Sequence, residues 1–266
     1  MDTPLKIAVT GKGGVGKTTV AALLCRAFVE SGHSVIAVDA DPDANLGAAA
    51  GIGNDDSIVP LASMHSLIEE RTGAAPDSVG SFFKINPHVA DLPEKLWQEQ
   101  DGIRLLKMGT VKQGGSGCIC PASAMLKAMI QNLILYRNEA VIMDMEAGIE
   151  HLSRRTDRDV DIMLVVTDPS KMGFETAKRI RELIEEVHIG VKKTYLVGNR
   201  FPPQLLDVLE KAADDVGFEL AGNTPEDSNV QSFNMTGKPL LDIPEDSPSY
   251  RAVEEIAEKI GLKELV

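Results

Sequence analysis

The sequence predicts an α/β protein in which helices cover both faces of one mostly parallel sheet. Apolar strand patterns alternate with helical patterns along the chain, as successive βαβ units require. A glycine-rich segment joins the first strand to the first helix, where such folds often hold a phosphate-binding loop. A chain of 266 residues, 43% of them hydrophobic, is also long enough to bury the core of one domain over residues 1–266.

The elements follow in order along the chain. Strands are expected at residues 5–10, 34–39, 103–110, 140–144, 162–167, 194–198 and 218–223. Helices are expected near residues 17–30, 122–137, 173–187, 203–216 and 249–260. Residues 55–101 mix glycine, proline and charge without a clear period, so we expect a surface excursion of the same domain there.

The spacing of apolar residues assigns these elements. The first helix has one apolar face, formed by Val20, Leu23, Leu24, Ala27 and Phe28. The helix near residues 122–137 shows the same spacing at Ala122, Met125, Leu126, Met129, Leu133 and Tyr136. The strand at residues 5–10 has the pattern of a parallel strand buried on both faces.

The charge pattern argues against two kinds of surface-binding protein. The chain has a net charge of −13 and no basic stripe, whereas non-specific nucleic-acid binding requires Lys and Arg to neutralise phosphates. The helical segment 251–260 is acidic on its polar side, unlike the basic amphipathic helices that bind membranes. No apolar run approaches the roughly 20 residues of a membrane span, and three cysteines do not make a disulfide framework. We therefore expect a cytoplasmic protein with no nucleic acid and no membrane among its partners.

Residues 11–19 satisfy the phosphate-loop pattern G-x-x-x-x-G-K-[ST]. Its glycines let backbone N–H groups turn toward a polyphosphate, and the next helix directs its positive end at the same charge. Lys17 is expected to neutralise the β- and γ-phosphates, and the Thr18 hydroxyl to bind Mg²⁺. The predicted nucleotide-binding residues of the loop are Gly11, Lys12, Gly13, Gly14, Val15, Gly16, Lys17, Thr18 and Thr19.

Carboxylates follow two of the predicted strands. Asp39 ends the second strand, Asp41 and Asp43 come just beyond it, and Asp144 ends the strand at 140–144. Because the carboxyl ends of such strands lie beside the phosphate loop, these side chains suit Mg²⁺ and an attacking water. Acidic residues at a strand end also cap helices, and that alternative stays open for Asp41 and Asp43.

Lys12 points to a family. The pattern K-G-G-x-G-K-[ST] resembles the deviant Walker A ATPases, the P-loop family of MinD, ParA and the nitrogenase iron protein. In that family the extra lysine reaches the nucleotide of the partner subunit. The resemblance therefore implies a homodimer that binds ATP or ADP and hydrolyses ATP, with Lys12 acting across the interface. A solvated lysine at a loop tip is the alternative.

The resemblance also assigns catalytic roles. Asp41 matches the family aspartate that orients the attacking water, so Asp41, Lys12 and Lys17 are the expected catalytic residues. We expect Asp39 to lie closer than Asp41 to the Mg²⁺ ion and to Lys17.

The strand at residues 140–144 and the segment after it match two further family motifs. Asp144 corresponds to the Walker B aspartate, so Thr18, Asp39 and Asp144 are the expected Mg²⁺ residues. Gly148, within a match to switch II, is expected to donate its N–H to the γ-phosphate.

Two further segments resemble the base-binding part of the family site. Asn199 and Arg200 close the strand at 194–198, where the family uses an asparagine to read adenine, which favours ATP over GTP. Pro225 and Glu226 follow the next strand and resemble the loop on the other side of the base.

Cys118 and Cys120 lie in a glycine-rich segment, and Pro121 fits the first turn of the next helix. Cys120 is thus expected at or next to the N-cap, where the helix dipole favours the thiolate that binds soft metals. Residues two apart in extended backbone point the same way, so one pair supplies two ligands. A tetrahedral four-thiolate site needs a second copy, which the implied homodimer supplies.

The phosphate loop, D-A-D-P-D-A-N-L at 39–46, the C-x-C segment and D-M-E-A-G-I-E-H at 144–151 together resemble the CooC-type ATPases. Those proteins assist nickel insertion into carbon monoxide dehydrogenase, and close relatives serve acetyl-CoA synthase. The resemblance implies one Ni²⁺ or Zn²⁺ ion held by Cys118 and Cys120 of both subunits, and one of those enzymes as client.

Other interpretations of the two cysteines stay open. The pair could be core residues or a redox pair, although the glycine-rich setting and the strain of an i, i+2 disulfide disfavour both. An iron–sulfur cluster bridged by two C-x-C pairs also suits four thiolates. From a different class, a MinD- or ParA-like switch would recruit a protein partner without any metal.

Overall fold

A computed structural model describes residues 4–41, 43–53, 58–76, 78, 81–109, 120–131, 138–147, 160–187 and 190–262. Its strands are β1 (Leu5–Gly11), β2 (Ser34–Ala40), β3 (Gln98–Gln100), β4 (Ile103–Lys107), β5 (Glu139–Met145), β6 (Val160–Thr167), β7 (Val191–Asn199) and β8 (Glu219–Thr224). They form one sheet in the order β3-β4-β2-β5-β1-β6-β7-β8. All neighbours are parallel except β3 and β4, which pair antiparallel at one edge.

Nine helices are found among the described residues. They are α1 (Lys17–Glu30), α2 (Leu46–Ala50), α3 (His65–Thr72), α4 (Pro93–Leu96), α5 (Pro121–Gln131), α6 (Lys171–Val187), α7 (Leu206–Val216), α8 (Ser228–Thr236) and α9 (Pro248–Lys259). Single 3₁₀ turns occur at Leu61–Ser63, Pro203–Leu205 and Leu240–Asp242. Within the described ranges, none of these helices combines the length and apolar character that crossing a bilayer demands.

The sheet separates two apolar cores, because alternate side chains of each strand point to opposite faces. In β5, Ala140 and Ile142 belong to one core, and Val141 and Met143 belong to the other. Helices α1, α2 and α9 contribute to the first core, and α3, α5, α6 and α7 to the second. This double coverage explains the continuous apolar strands and confirms the predicted α/β class.

Most predicted elements are found with small shifts. Helix α1 has the predicted bounds, and the seven predicted strands correspond to β1, β2, β4, β5, β6, β7 and β8. The third predicted strand, at residues 103–110, was predicted too long, since β4 ends at Lys107. Gly109, with a φ of 77°, turns the backbone away from the extended conformation there. Position 110 itself, and the predicted helical residues 132–137, lie outside the described residues.

The surface excursion at residues 55–101 contains more regular structure than the sequence predicted. It holds helices α3 and α4 and the edge strand β3. Ile68 of α3 is fully buried, and Val89 and Leu92 join the second core. These elements are too short to show a period, and β3 is polar because it lies at the exposed edge of the sheet.

Candidate nucleotide site

The loop between β1 and α1 has the backbone shape that a phosphate loop requires. Gly14 and Gly16 have φ angles of 79° and 97°, in the left-handed region that favours glycine. A Cβ atom on Gly16 would overlap the side-chain amide of Asn199, so the residue is also sterically required. Lys17 then begins α1, which directs the positive end of that helix at the loop.

Lys17 forms an ion pair with Asp41, with Nζ 3.3 Å from Oδ2. Both side chains are largely buried, at 6% and 14% exposure. The second carboxylate oxygen of Asp41 accepts a hydrogen bond of 3.0 Å from the N–H of Asp43. The expectation that Asp39 lies closer than Asp41 to Lys17 is not met, because Lys17 pairs with Asp41.

Asp39 and Asp144 are paired residues on the neighbouring strands β2 and β5. The Thr18 hydroxyl donates to Asp144 Oδ2 at 2.6 Å, and the N–H of Leu46 donates to Asp39 Oδ2 at 3.0 Å. The other oxygen of each aspartate is buried and has no hydrogen-bond partner among the described residues.

The two aspartates also carry raised pKa values. Burial, and then the nearby charge of Asp144, raises the pKa of Asp39 to about 7. Burial raises the pKa of Asp144 to about 6, although the hydrogen bond from Thr18 opposes the shift. Buried carboxylate oxygens without partners, next to a hydroxyl, are the hard ligands that Mg²⁺ prefers, so this donor set fits a magnesium ion.

Asn199 and Arg200, at the end of β7, contact the phosphate loop from the side opposite Asp41. Asn199 donates from Nδ2 to the carbonyl of Val15 at 2.6 Å and accepts from the hydroxyl of Thr224 at 2.6 Å. Arg200 has a φ of 61°, and its guanidinium donates to the carbonyl of Gly14 at 2.9 Å. In this state both side chains therefore hold the loop in shape, which the sequence did not predict.

A cavity of about 530 Å³ joins these residues, a size that suits a nucleotide. Its phosphate-loop end is lined by Gly13, Gly14, Gly16, Lys17, Thr18, Thr19 and Asp41. Asn199, Arg200, Pro225 and Glu226 line it as well, so the structure brings the residues predicted to bind the base to the same cavity. Lys12 is half-buried in the loop but does not line the cavity.

The structure adds further lining residues to those predicted to bind the nucleotide. Glu146, just after β5, lines the phosphate end. Asp227 and Ser249, with Val230, Gln231 and Asn234 of α8, line the far end. For Asp227 the sequence held one signal, because an aspartate directly before a helical stretch is typical of an N-cap.

Cys120 caps helix α5, as the sequence predicted. The helix begins at Pro121, and the N–H of Ser123 donates to the Cys120 sulfur at 3.4 Å. Cys118 and Gly148 lie outside the described residues. The described part of the chain contains no group of three or more His, Cys, Asp and Glu side chains placed to hold a metal ion.

Comparison with known proteins agrees with this geometry. The family described as the CobQ/CobB/MinD/ParA nucleotide binding domain matches residues 6–240. The chain belongs to this family. As a CobQ/CobB/MinD/ParA-type protein it is an ATPase, which confirms the predicted activity.

Two relatives match nearly the whole chain. An uncharacterized ATP-binding protein of Methanocaldococcus jannaschii is 44% identical, covering 95% of this chain and 96% of its own length. Carbon monoxide dehydrogenase accessory protein CooC of Rhodospirillum rubrum is 39% identical, covering 93% and 92%. The resemblance to CooC-type ATPases is thereby confirmed.

Solved structures of the family share the fold. MinD of Aquifex aeolicus superposes with a TM-score of 0.69 at 22% identity, covering 98% of this chain and 99% of that one. MinD of Pyrococcus horikoshii, complexed with Mg-ADP, has a TM-score of 0.64 at 20% identity, covering 97% and 96%. At these identities the likeness shows the fold alone.

Proposed function

We propose that this ATPase dimerises on ATP, carries one Ni²⁺ or Zn²⁺ ion between the C-x-C pairs of its two subunits, and assists nickel insertion into carbon monoxide dehydrogenase or acetyl-CoA synthase. The observation that carries the proposal is the 39% identity to a carbon monoxide dehydrogenase accessory protein over 93% of the chain. The position of Cys120 at the N-cap of α5 supports it, because a thiol there is held at the positive end of a helix.

ATP binding exchanges one ion pair for another. The triphosphate enters at the phosphate loop, where backbone N–H groups and the end of α1 meet its charge. Lys17, now paired with Asp41 at 3.3 Å, moves its charge to the β- and γ-phosphates. Asp41 is released by that exchange and becomes free to orient the attacking water.

Thr18, Asp39 and Asp144 are the residues that would hold Mg²⁺. When bound, Mg²⁺ neutralises charge on the β- and γ-phosphate oxygens. The donor set fits because each aspartate has one buried oxygen without a partner among the described residues. The Thr18 hydroxyl donates to Oδ2 of Asp144, the other oxygen of that carboxylate, at 2.6 Å.

Lys12 supports the dimer. Its side chain does not line the cavity of its own subunit, and among the described residues it forms no ion pair. A lysine at this place in the loop is therefore available to contact the nucleotide bound to a second subunit. The dimer also brings two C-x-C pairs together, which completes four thiolates.

Helix α5 offers a path from nucleotide to metal. It begins beside Cys120, and its Met125 and Met129 share a core with Met143 and Met145 of β5. Those two methionines flank Asp144 in the sequence. A rearrangement of the segment after β5 when ATP is hydrolysed would therefore be passed through this shared core to α5, the helix that follows Cys118 and Cys120.

Metal content per protein chain, with and without a slowly hydrolysed ATP analogue, tests the proposal. Wild type is expected to bind one Ni²⁺ or Zn²⁺ ion per two chains, and Cys118→Ser or Cys120→Ser to lose tight binding. Each substitution removes two of four ligands from the shared site and leaves poor donors in their place. Nucleotide affinity is expected to stay near that of wild type in both variants.

Cys25→Ala is the matched control, because Cys25 is fully buried inside α1 and burial raises its pKa. It is expected to keep the metal. One ion per chain, or tight binding without Cys118 and Cys120, would refute the shared site. Protein isolated with iron and sulfide in place of Ni²⁺ or Zn²⁺ would favour a cluster carrier, a function named for a Pyrococcus furiosus relative that is 28% identical.

A further inference from the structure

The far end of the nucleotide cavity is a wall made by three chain segments. They are the loop after β8, the helix α8 and the first turn of α9. Because the phosphates belong at the glycine loop, this wall faces the nucleoside part of a bound nucleotide. Gln231 and Asn234 of α8 line it with exposed amide groups, and Ser249 lines it from α9.

Asp227 joins all three segments. Its Oδ1 accepts from the N–H of Asn229 at 2.8 Å and thereby caps α8. Its Oδ2 accepts from the Ser247 hydroxyl at 2.5 Å and from the N–H of Ser249 at 3.0 Å. Ser247 is itself the N-cap of α9, so one carboxylate fixes the start of both helices.

The environment keeps this carboxylate charged. Asp227 is 6% exposed, and burial alone would raise its pKa. The hydrogen bonds from Ser247, Ser249 and Asn229 outweigh burial and hold the pKa of Asp227 below its usual range. Charge-assisted bonds of this kind are about twice as strong as neutral ones.

Helix α8 depends on this anchor because little else holds it. None of its nine residues is buried, and only Val230 and Phe233 pack against the first core as partly buried side chains. At its C-terminus the helix stops at Gly237, whose backbone has the left-handed conformation. A helix with so few buried contacts has low local stability, so the bonds at its N-terminus matter more for its position.

We propose that Asp227 is a positioning residue that joins α8 to α9 and so sets the affinity of the site for the nucleoside part of ATP. The inference rests on ATP binding by the cavity and is independent of the metal and the dimer. Loss of Asp227 would free α8 to move away from the nucleoside, whereas the phosphate loop keeps its own contacts with Asn199 and Arg200.

Calorimetric titration with Mg-ATP and, separately, with inorganic triphosphate and Mg²⁺ tests the proposal. Asp227→Asn is expected to weaken ATP binding about tenfold or more, the equivalent of a lost bond to a charged group. Binding of triphosphate is expected to stay within about threefold of wild type, because that ligand does not reach the wall. Ser247→Ala removes one of the bonds to Asp227 and is expected to weaken ATP binding by a smaller factor.

Asp207→Asn serves as the matched control, since Asp207 is an exposed aspartate in the first turn of α7. It is expected to change neither affinity. Equal losses for ATP and triphosphate in Asp227→Asn would overturn the proposal, because a general loss of structure affects both ligands. Unchanged ATP affinity would overturn it as well. If Asp227→Asn fails to fold by circular dichroism, the ratio of the two affinities in Ser247→Ala decides in the same way.

Discussion

Lys17 and Asp41 form the central ion pair of the site, and each side chain balances the charge of the other. Both side chains are mostly buried, and a buried ion pair gains little net energy because desolvation offsets the attraction. A triphosphate carries more charge than one carboxylate and meets the loop N–H groups as well. We therefore expect a triphosphate to displace Asp41 from Lys17 when ATP binds.

Replacement of Asp41 is expected to separate ATP binding from hydrolysis. Asp41→Ala removes the carboxylate that we propose orients the attacking water, so turnover is expected to fall by about 10²-fold or more, as for other positioned catalytic groups. ATP affinity is expected to be equal to or slightly above that of wild type, because Lys17 no longer has a competing partner. Phosphate release and equilibrium nucleotide binding measure the two quantities.

Asp41→Asn provides the isosteric control for this prediction. It keeps an oxygen that can accept from the N–H of Asp43 but lacks the charge that pairs with Lys17. Normal turnover in either variant would move the role to another carboxylate, with Asp39 and Asp43 next to be examined.

The neighbouring strands β2 and β5 bring Asp39 and Asp144 together, and the pKa values of both carboxylates make the stability of the fold depend on pH. The pKa of Asp39 rises to about 7 and that of Asp144 to about 6, from an ordinary value of 3.8. Between pH 4 and these values the folded protein holds more protons than the unfolded chain. Stability without Mg²⁺ is therefore expected to fall as pH rises through that window.

Urea unfolding between pH 4.5 and 7.5 without Mg²⁺ checks this expectation. Asp39 alone can contribute a slope of up to about 1.4 kcal/mol per pH unit. Asp39→Asn keeps an oxygen for the N–H of Leu46 and is expected to flatten the fall. Mg²⁺ is expected to stabilise wild type more at pH 7.5 than at pH 5. A variant with the same pH dependence as wild type would assign the effect to other groups.

The end of β7 supports the phosphate loop through Asn199. Because this side chain donates to the carbonyl of Val15, Asn199→Ala is expected to weaken binding of inorganic triphosphate as well as ATP, each by about tenfold. Gln204→Ala, an exposed site just beyond β7, is the control and is expected to change neither. Calorimetry with both ligands makes the comparison.

A loss restricted to ATP would give a different role to Asn199. It would mean that the side chain leaves the loop and reads the base directly, as the family resemblance implies. Comparison of ATP with GTP in the same variant then measures that discrimination.

At the scale of the whole molecule, the two loop lysines are expected to act on different subunits. Lys17→Ala should abolish ATP binding, because this lysine lines the cavity of its own chain. Lys12→Ala should keep monomer affinity within about threefold and lose ATP-driven dimerisation, since Lys12 does not line that cavity. Light scattering with a slowly hydrolysed ATP analogue reports the dimer.

Lys171→Ala is a suitable control because Lys171 is 88% exposed at the start of α6. Two copies of a chain with a net charge of −13 repel each other, so an ATP-dependent dimer requires specific attractive contacts. If Lys12→Ala dimerises at the same ATP concentration as wild type, Lys12 does not act across the interface.

The sequence by itself determined the sheet, the phosphate loop and the family. Buried parallel strands must be apolar at successive positions, and the loop needs glycines and lysine at fixed spacing, so both leave strong local patterns. The N-cap position of Cys120 was likewise predictable, because Pro121 restricts where a helix can begin.

Only the tertiary structure decided which charges meet. Sequence spacing could not show that Lys17 pairs with Asp41 rather than Asp39, because both carboxylates lie at the carboxyl end of the same strand. It could not place Asp227 at the junction of α8 and α9 either, since Ser247 lies 20 residues away along the chain. Such contacts depend on how separate elements pack in three dimensions, and no local period records that packing.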